Sequence, residues 1–457
     1  MTEEYKFDDN DPRLVQMNEK YCVVNVSGKT RVLWFERDME RWLPNFATFQ
    51  DFLNFHCNQK MIVPNAKGKP EAVSIAKLWL ASPARRTYSG ITFQPNGEAV
   101  VGGRFNLWRG WGVDPAPGDW SLMRAHIKDV IAAGNEEFDA YLIGWIANMF
   151  QNPGQPGQVA PAIRSEREGI GKGTLFNALV KTAGQHGIQI SSTKHLAGNF
   201  NFHLQDCIFL FADEALWPGD KASEGTLSRL ITEPTLFIEP KNFNAYSVKN
   251  CLHVALASNQ DWIVPAKISS RRFAVNEASS HRVGDRAYFK ALHTEMNNGG
   301  LAAMLYDLLR MDLSTFDVNA YPKTAALRQQ QILSLSPFDQ WWVGLLEEGR
   351  LPGQAIIGYP NRAYTYELLQ HAKEKVPSLK YLSDILLGRI LGKKMGCKAW
   401  KKTGGGRGWE FPTLSEARQE WEKKAGKWDW GDDEQKQWEL PLDTSEDHQK
   451  TWWKVVK

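Results

Sequence analysis

The sequence predicts an α/β protein with a three-layer core, a smaller α/β domain before it and a winged-helix-like domain after it. Apolar segments at 159–163, 207–212 and 252–257 are separated by helical or irregular stretches, which is typical of three-layer α/β folds. A glycine-rich loop follows the first of these segments. Residues 364–413 then show the pattern of helix, helix and β-hairpin, which predicts the winged-helix-like domain.

The composition indicates a globular protein. Of the 457 residues, 42% are hydrophobic and 12% are aromatic, which is enough for more than one buried core. The chain contains no run of about 18 apolar residues, and its start, MTEEYKFDDNDPR, is acidic where a signal peptide is basic and then apolar. We therefore expect a soluble, cytoplasmic protein with no membrane partner.

The cysteines and the net charge point to no particular class of site. A net charge of +3 on a chain of this size does not by itself indicate nucleic-acid binding. The five cysteines are widely spaced and form no CxxC pair, so structural zinc and a disulfide framework are not expected. They are Cys22, Cys57, Cys207, Cys251 and Cys397.

Composition and periodicity divide the chain into five segments. Short apolar runs such as YCVVNV alternate with helical stretches in the first segment, and a buried helical face ended by NPGQPGQ marks the second. The last segment is acidic, rich in tryptophan and without clear periodicity. The predicted segments are an N-terminal α/β leader domain (1–115), a helical collar and linker (116–158), the three-layer core with its helical end (159–325), the winged-helix-like domain (326–425) and the tail (426–457).

The segment EREGIGKGTLF at 166–176 leads from a strand into an amphipathic helix. Glycines let backbone N–H groups curl around phosphate oxygens, and a helix N-terminus adds partial positive charge. Lys172 is therefore expected to reach the β and γ phosphates of ATP, and Thr174 is the candidate for the Mg²⁺ shell. The pattern GxxxxGK[ST] is broken at Glu166 and at Gly173. The predicted nucleotide-binding residues are Gly169, Ile170, Gly171, Lys172, Gly173, Thr174 and Leu175.

The same loop has two other interpretations. A glycine turn ahead of an ordinary helix has this pattern, and nucleotide kinases also use GKGT. A kinase requires a lid with several arginines soon after the loop, but residues 175–206 contain none. The loop alone does not exclude the interpretation as a glycine turn.

Two further strands end in polar side chains suited to ATP hydrolysis. CIFLFADEA ends in two carboxylates, so Asp213 is predicted to lie next to Mg²⁺ and Glu214 to polarise the attacking water. LHVALASN ends in Asn259, which is predicted to orient that water beside the γ phosphate. An apolar strand ending in acids also occurs where the acids serve only solubility, but its position about forty residues after the glycine-lysine loop favours a catalytic site.

The segment ISSRRFAV places two arginines, Arg271 and Arg272, on an otherwise apolar stretch. In oligomeric ATPases an arginine at this point enters the neighbouring subunit's site and neutralises transition-state charge. The other interpretation is a solvated loop. We predict that one of the two acts in trans.

These motifs, in this order, resemble the superfamily 3 helicase core of virus, phage and mobile-element primase-helicases, within the AAA+ class. The resemblance rests on HLAGNFNFHLQD, the DE strand, GTLSRLITEPTLFIEPKNFNAYSVKN, LASN and SRRF. It implies ATP and Mg²⁺ as cofactors, a homo-oligomeric, hexameric ring and translocation on single-stranded DNA. It also implies a phage-type protein in the cytoplasm of a bacterial host. The residues before the collar are too few for a catalytic primase domain, so priming is expected from a separate primase or polymerase.

The same resemblance implies a β-hairpin that projects into the ring's pore with a basic residue. LFIEPKNFNAYSVKN has turn-forming residues between apolar flanks, as a hairpin does. Lys241 is the first candidate for the pore contact, and Phe243 and Lys249 are the second. A surface hairpin with incidental lysines has the same pattern.

Positive charge is concentrated in the predicted winged-helix-like domain. Between Arg389 and Arg407 there is no acidic residue, which favours contacts to DNA phosphates, with Trp400 and Trp409 able to stack on bases or to pack the wing. A protein-binding winged helix with a solvated basic face remains open. The predicted DNA-binding residues here are Arg389, Lys393, Lys394, Lys398, Lys401, Lys402 and Arg407.

The leading prediction is an ATP-driven DNA helicase or translocase. A second hypothesis is an origin-recognition or loading platform, in which ATP holds the ring together and origin duplex DNA is a partner. Both hypotheses share every motif, so the sequence does not separate them.

Overall fold

The computed structural model divides into two compact units. One comprises 1–260 and 274–322, and the other comprises 261–273 and 323–457. Among the residues described, no helix is both long and apolar enough to cross a membrane. The described residues are 8–38, 41–192, 201–214, 221–240, 244–266, 268, 271–353, 356, 359–401, 406–428, 430–431 and 434–439.

The first unit begins with a small mixed α/β part around a four-stranded sheet of order β3-β2-β1-β6. Its core is aromatic, because Tyr21, Phe52 and Trp79 pack edge to face or at a tilt with ring centroids 4.9–6.1 Å apart. Its elements are α1 (Pro12–Lys20), β1 (Cys22–Val26), β2 (Lys29–Asp38), β3 (Arg41–Ala47), α2 (Phe49–Phe55), β4 (Lys60–Pro64), β5 (Pro70–Ser74), α3 (Ile75–Ala81), β6 (Thr87–Tyr88), β7 (Ile91–Thr92), β8 (Val100–Val101) and β9 (Arg104–Asn106).

Two helices follow, α4 (Ser121–His126) and α5 (Glu136–Gln151), joined through a π-helical turn at Ile127–Ile131. The side chain of Asn135 caps α5 by accepting from the Phe138 backbone N–H at 3.0 Å. Most of α5 is buried, since it carries apolar side chains on nearly every side. Its Trp145 indole donates to the Val159 carbonyl at 2.8 Å, which ties the helix to the start of the next strand.

A five-stranded sheet of order β11-β12-β15-β10-β16 forms the centre of the unit. The neighbouring pairs β11–β12, β12–β15 and β15–β10 are parallel. Strands β10, β12 and β15 are buried almost throughout because a parallel sheet is covered on both faces, whereas the edge strand β11 has a half-buried and an exposed residue at its centre. The elements are β10 (Ala160–Arg164), α6 (Lys172–Ala183), β11 (Gly187–Ile190), β12 (Phe209–Asp213), α7 (Lys221–Thr232), β13 (Thr235–Ile238), β14 (Tyr246–Lys249), β15 (His253–Ser258), β16 (Phe273–Glu277), α8 (Arg286–Glu295) and α9 (Leu301–Leu308).

The strand order decides which loops meet. Strands β12, β15 and β10 are neighbours, and parallel strands end at the same edge of a sheet. The loop at 165–171, the acids after β12 and the amide after β15 therefore lie together.

The leader part contacts the end of α6 through backbone. The Gly112 N–H donates to the Thr182 carbonyl at 2.8 Å and so satisfies one of the carbonyls that a helix end leaves without a partner. A Cβ on Gly112 would come within 2.7 Å of the Gly184 Cα, and a Cβ on Gly184 would come within 2.5 Å of the Gly112 Cα. Beside this seam, Trp108 stacks on His186 with ring centroids 4.7 Å apart.

The second unit contains the order of helix, helix and hairpin that the sequence predicts. Its three-stranded sheet has the order β17-β19-β18, with antiparallel pairs, and the turn residues 402–405 lie outside the described residues. Its assignment to the winged-helix class stays a prediction. The elements are α10 (Ala325–Leu333), α11 (Pro337–Glu348), β17 (Arg362–Tyr364), α12 (Thr365–Lys375), α13 (Asp384–Lys394), β18 (Lys398–Lys401), β19 (Arg407–Glu410) and α14 (Leu414–Ala425).

Three tryptophans from the predicted tail belong to the core of this unit. Trp428, Trp430 and Trp438 are each less than 10% exposed. The Trp438 indole donates to the Pro412 carbonyl at 2.8 Å, and its ring lies 5.9 Å from that of Phe411. The described residues between 426 and 439 therefore pack with the domain that precedes them and do not form an independent tail.

This packing predicts a large effect of Trp438→Ala. Removing a buried tryptophan leaves a cavity and costs about 3 kcal/mol or more. We expect faster hydrogen exchange at the backbone amides of α11, whose Trp342 ring lies 6.4 Å from that of Trp438, and a lower unfolding midpoint for this unit. Trp42→Ala is the control because Trp42 is 50% exposed. Equal exchange in the two variants would contradict the assignment of Trp438 to the core.

Candidate nucleotide-binding site

The predicted phosphate loop connects β10 to α6. Gly169 and Gly171 have φ of +75° and +97°, a left-handed conformation that glycine adopts without a steric penalty. Gly171 is the N-cap of α6, so the free N–H groups of the first helical turn point away from the helix at this loop. Ile170 and Leu175 are buried and anchor the loop, whereas Gly173 and Thr174 are half-buried. Positive-φ glycines and free N–H groups at a helix start are features that phosphate-binding loops share, and the assignment stays a prediction.

Lys172 is buried at the centre of the site. Its Nζ donates to Ser165 Oγ at 2.5 Å, to the Ser258 carbonyl at 3.2 Å and to Asn259 Oδ1. Burial lowers the pKa of Lys172, and the negative charges of Glu214 and Asp213 act in the opposite direction. A buried ammonium held by neutral oxygens is well placed to exchange them for phosphate oxygens.

Glu214 contacts the other side of the dipeptide Ser258–Asn259. The Asn259 backbone N–H donates to Glu214 Oε1 at 2.6 Å, and the Ser258 hydroxyl donates to Glu214 Oε2 at 2.5 Å. Glu214 has φ of +51°, which is uncommon for a residue other than glycine and costs about 1–3 kcal/mol. A strained backbone that turns a carboxylate toward buried donors is typical of functional sites.

Three predicted residues therefore converge on one point. Ser258 and Asn259 contact Lys172 through oxygen atoms and Glu214 through donor groups. The structure thus joins the phosphate loop, the acidic strand and the amide strand into one cluster.

Asp213 precedes Glu214 and accepts a hydrogen bond from Gln189 Nε2 at 3.1 Å. Burial raises the pKa of Asp213, and the charge of Glu214 raises it further. A carboxylate whose charge is destabilised by burial and by a neighbouring carboxylate favours a nearby cation. Gln189 and Thr174 both line a cavity of about 510 Å³, with Asn177, Lys181 and His293 among its other walls. The described residues contain no group of three or more His, Cys, Asp or Glu side chains that could hold a metal by themselves.

His126 supports the phosphate loop from the α4 side, and the sequence did not identify it. Its Nε2 lies 3.1 Å from the Gly171 carbonyl, and its Nδ1 lies 2.9 Å from the Tyr288 hydroxyl. A carbonyl only accepts, so Nε2 carries the proton and Nδ1 accepts from Tyr288. Burial lowers the pKa of His126 to about 4, so the ring is neutral at physiological pH. A Cβ at Gly171 would clash with this ring.

Arg271 and Arg272 are in the second compact unit, whereas the Lys172 cluster is built entirely from the first. Arg271 is exposed and Arg272 is half-buried, directly before β16. Their predicted action on a neighbouring subunit is a property of an oligomer, and it stays a prediction.

The predicted hairpin is present as the antiparallel pair β13–β14. Lys249 is exposed at the end of β14. Asn201 holds the other strand, because its Nδ2 donates to the Phe237 carbonyl and its Oδ1 accepts from the Glu239 N–H, both at 2.8 Å. Lys241 and Phe243 lie outside the described residues.

Most of the predicted DNA-binding cations of the second unit are exposed on α13 and on the hairpin β18–β19. The Lys394 side chain and all of Lys402 lie outside the described residues. Within the described part of the chain, Lys398, Lys401 and Arg407 have no carboxylate partner. The exposed cations are Arg389, Lys393, Lys398, Lys401 and Arg407.

Sequence reasoning missed the residues that connect the site. Ser165 and Ser258 each follow or end a buried strand beside a predicted functional residue, and that position was a usable signal. Gln189 ends no motif, and His126 lies 46 positions before Lys172 in a different element, so neither carried a signal in the sequence.

Three comparisons with known proteins bear on this chain. Residues 163–272 match DUF5906, a family of unknown function. The DNA primase-polymerase of Nitratiruptor phage NrS-1 is 28% identical over 141 residues, which are 30% of this chain. The matching stretch covers 19% of that protein's length.

The fold has a counterpart over most of the chain. The apo structure of the NrS-1 C-terminal region superposes with a TM-score of 0.58 at 17% identity, covering 89% of this chain and 99% of that one. A second apo structure of that region gives a TM-score of 0.57 at 17% identity, covering 87% and 98%. This chain therefore has the fold of the C-terminal region of NrS-1, and part of its sequence is similar to a phage DNA primase-polymerase.

Proposed function

We propose that this chain is an ATP-dependent DNA helicase or translocase of phage or mobile-element replication, acting as a ring on single-stranded DNA. The observation that carries the proposal is the convergence of Lys172 and Glu214 on Ser258 and Asn259. A lysine for phosphate and a carboxylate for water, joined by a polar dipeptide, are the parts that ATP hydrolysis requires. Similarity to a phage DNA primase-polymerase supports a role in DNA replication.

The site residues fit ATP and Mg²⁺. The backbone N–H groups around Gly169 and Gly171 would hold phosphate oxygens, and Lys172 would give up its contact with Asn259 to bind them. Thr174 and Asp213 would hold Mg²⁺, which completes its shell with phosphate oxygens and water and so needs few protein ligands. When bound, the ion neutralises charge on the phosphates.

Hydrolysis then depends on side chains of two subunits. Glu214, held by the Asn259 N–H and the Ser258 hydroxyl, orients and polarises the attacking water. The Asn259 Oδ1, once released from Lys172, still accepts from the Ser165 hydroxyl at 2.9 Å, so its amide N–H groups would donate to that water or to the γ phosphate. Arg271 or Arg272 of a neighbouring subunit supplies the charge that stabilises the transition state. The exposed cations of the second unit bind DNA phosphates.

The deciding experiment is an ATPase assay with and without single-stranded DNA, together with electron microscopy of the particles. We expect rings and a severalfold faster turnover with DNA. Glu214→Gln should retain ATP binding and lose turnover, because the amide cannot polarise water. A Glu214→Gln variant with most of the wild-type rate would contradict the assigned role of Glu214.

The second candidate is the ATP-binding platform that loads at an origin. The exposed cations of the second unit fit this function equally well, since duplex DNA also presents phosphates. The platform would be favoured over the motor if the rings hydrolyse ATP slowly, if DNA does not change that rate, and if no strand separation occurs.

A further inference from the structure

The second unit contains a large cleft that the proposed chemistry does not use. It has a volume of about 1040 Å³ and lies between α12, α13 and the hairpin β18–β19. Aromatic side chains and cations share its walls, and the residues that matter here are Tyr364, Tyr366, Ile385, Trp400, Lys401 and Arg407.

The rings of this cleft are arranged face to face or at a tilt. Tyr364 and Tyr366 are stacked, with centroids 5.8 Å apart and an interplanar angle of 26°. Trp400 lies 5.4 Å from Tyr364. Tyr366 is 61% exposed, so part of this aromatic surface is open to a ligand. Its hydroxyl donates to Glu367 Oε1 at 3.0 Å, which fixes the orientation of the ring.

Positive charge accompanies the rings. Lys401 and Arg407 are paired across the hairpin and are both exposed. A ligand that combines flat rings with negative charge complements both features. Nucleic acid has that combination.

The shape of the cleft favours a single strand over a duplex. Aromatic side chains stack on bases whose faces are free, and in a duplex those faces are covered by neighbouring base pairs. A duplex is read by residues at the start of a recognition helix. Here α13 begins with Asp384, Ile385 and Leu386, an acid and two exposed aliphatic side chains. None of them can donate a side-chain hydrogen bond to a base edge or neutralise a phosphate.

We propose that this cleft binds single-stranded nucleic acid by stacking unpaired bases on Tyr366 and Trp400, while Lys401 and Arg407 contact the adjacent phosphates. The inference deepens the DNA-binding part of the proposed function and rests on it. It assigns the second unit a preference for unpaired strands, independent of ATP turnover.

The test uses the full chain without nucleotide and measures fluorescence anisotropy of a labelled oligothymidine and of a duplex of equal length. Tyr366→Ala should weaken single-strand binding roughly tenfold and leave duplex binding and basal ATPase unchanged. Tyr366→Phe retains the ring but loses the bond to Glu367 that orients it, so it should keep most of the single-strand affinity that Tyr366→Ala loses. Tyr381→Ala is the matched control, since Tyr381 is 85% exposed and lies outside the cleft lining.

Two outcomes would overturn the assignment. Unchanged single-strand affinity in Tyr366→Ala would mean that the cleft holds something else, such as a peptide. An equal loss for single strand and duplex would mean that the ring does not distinguish them. Either result leaves the ATPase proposal standing, whereas absence of any DNA binding by the wild-type chain would remove the DNA part of both proposals.

Discussion

Lys172→Ala should lower ATP turnover by about a thousandfold, the loss that follows removal of a single preorganised electrostatic contact to transition-state charge. Lys172 Nζ is buried and bonded to Ser165 Oγ and the Ser258 carbonyl, so solvent cannot replace its charge. ATP binding should also weaken, because the same charge binds the phosphates of the ground state.

The matched control is Lys290→Ala. Lys290 is an exposed lysine of α8 that lines neither the cavity beside Thr174 nor the Lys172 site. We expect its turnover to remain within a few-fold of wild type. Steady-state ATPase rates and nucleotide binding by equilibrium dialysis check both variants, and circular dichroism confirms that they fold. A Lys172→Ala protein that hydrolyses ATP at near the wild-type rate would exclude this loop as the catalytic site.

Arg271→Ala or Arg272→Ala should reduce turnover by about a thousandfold or more, the usual contribution of an arginine that acts in trans. ATP binding should persist, because the arginine's charge is needed only as the phosphoryl bond breaks. Arg286→Ala is the control, since Arg286 is exposed at the start of α8.

Mixing an arginine variant with Lys172→Ala protein distinguishes action in trans from a local structural role. Each arginine variant retains Lys172, and Lys172→Ala protein retains both arginines. Mixed rings therefore contain some complete sites, and turnover should rise above that of either protein alone. If exchange of subunits is verified by fluorescence energy transfer and turnover stays at the level of the separate variants, neither arginine acts across an interface.

The sequence predicted which residues would meet at the candidate site, because each follows or ends a buried strand of the central sheet. Lys172, Asp213 and Glu214, and Asn259 stand in or beside the loops after β10, β12 and β15, and sheet geometry brings those loops together. The contacts among them could not be predicted. That Glu214 bonds the Asn259 backbone while Lys172 bonds its side chain depends on the strained φ of Glu214, which no residue pattern specifies.

In the second unit the order of helices and strands was predictable, but the composition of the core was not. Its helix and hairpin order was predictable from periodicity and from the glycine-rich turn, but the role of the tryptophans after residue 426 was not. Tryptophan next to acidic residues is compatible with a solvated tail. Trp428 and Trp430 are nevertheless buried, since their indole N–H groups find Glu347 and Glu422 as acceptors. Partners that lie 81 and 8 positions away decide the outcome, and only the folded chain shows them.

The close approach of Gly112 and Gly184 restricts how this protein can diversify. Neither position has space for a methyl group, because a Cβ at either one would come within 2.7 Å of the other residue's Cα. The two positions are therefore expected to covary among homologous chains, with a larger residue at one accepted only after the backbone at the other has moved. A chimaera that joins residues 1–115 of this chain to a homologous central domain with a side chain at position 184 should fail to form the contact between Gly112 and α6, even when each half folds well in its parent.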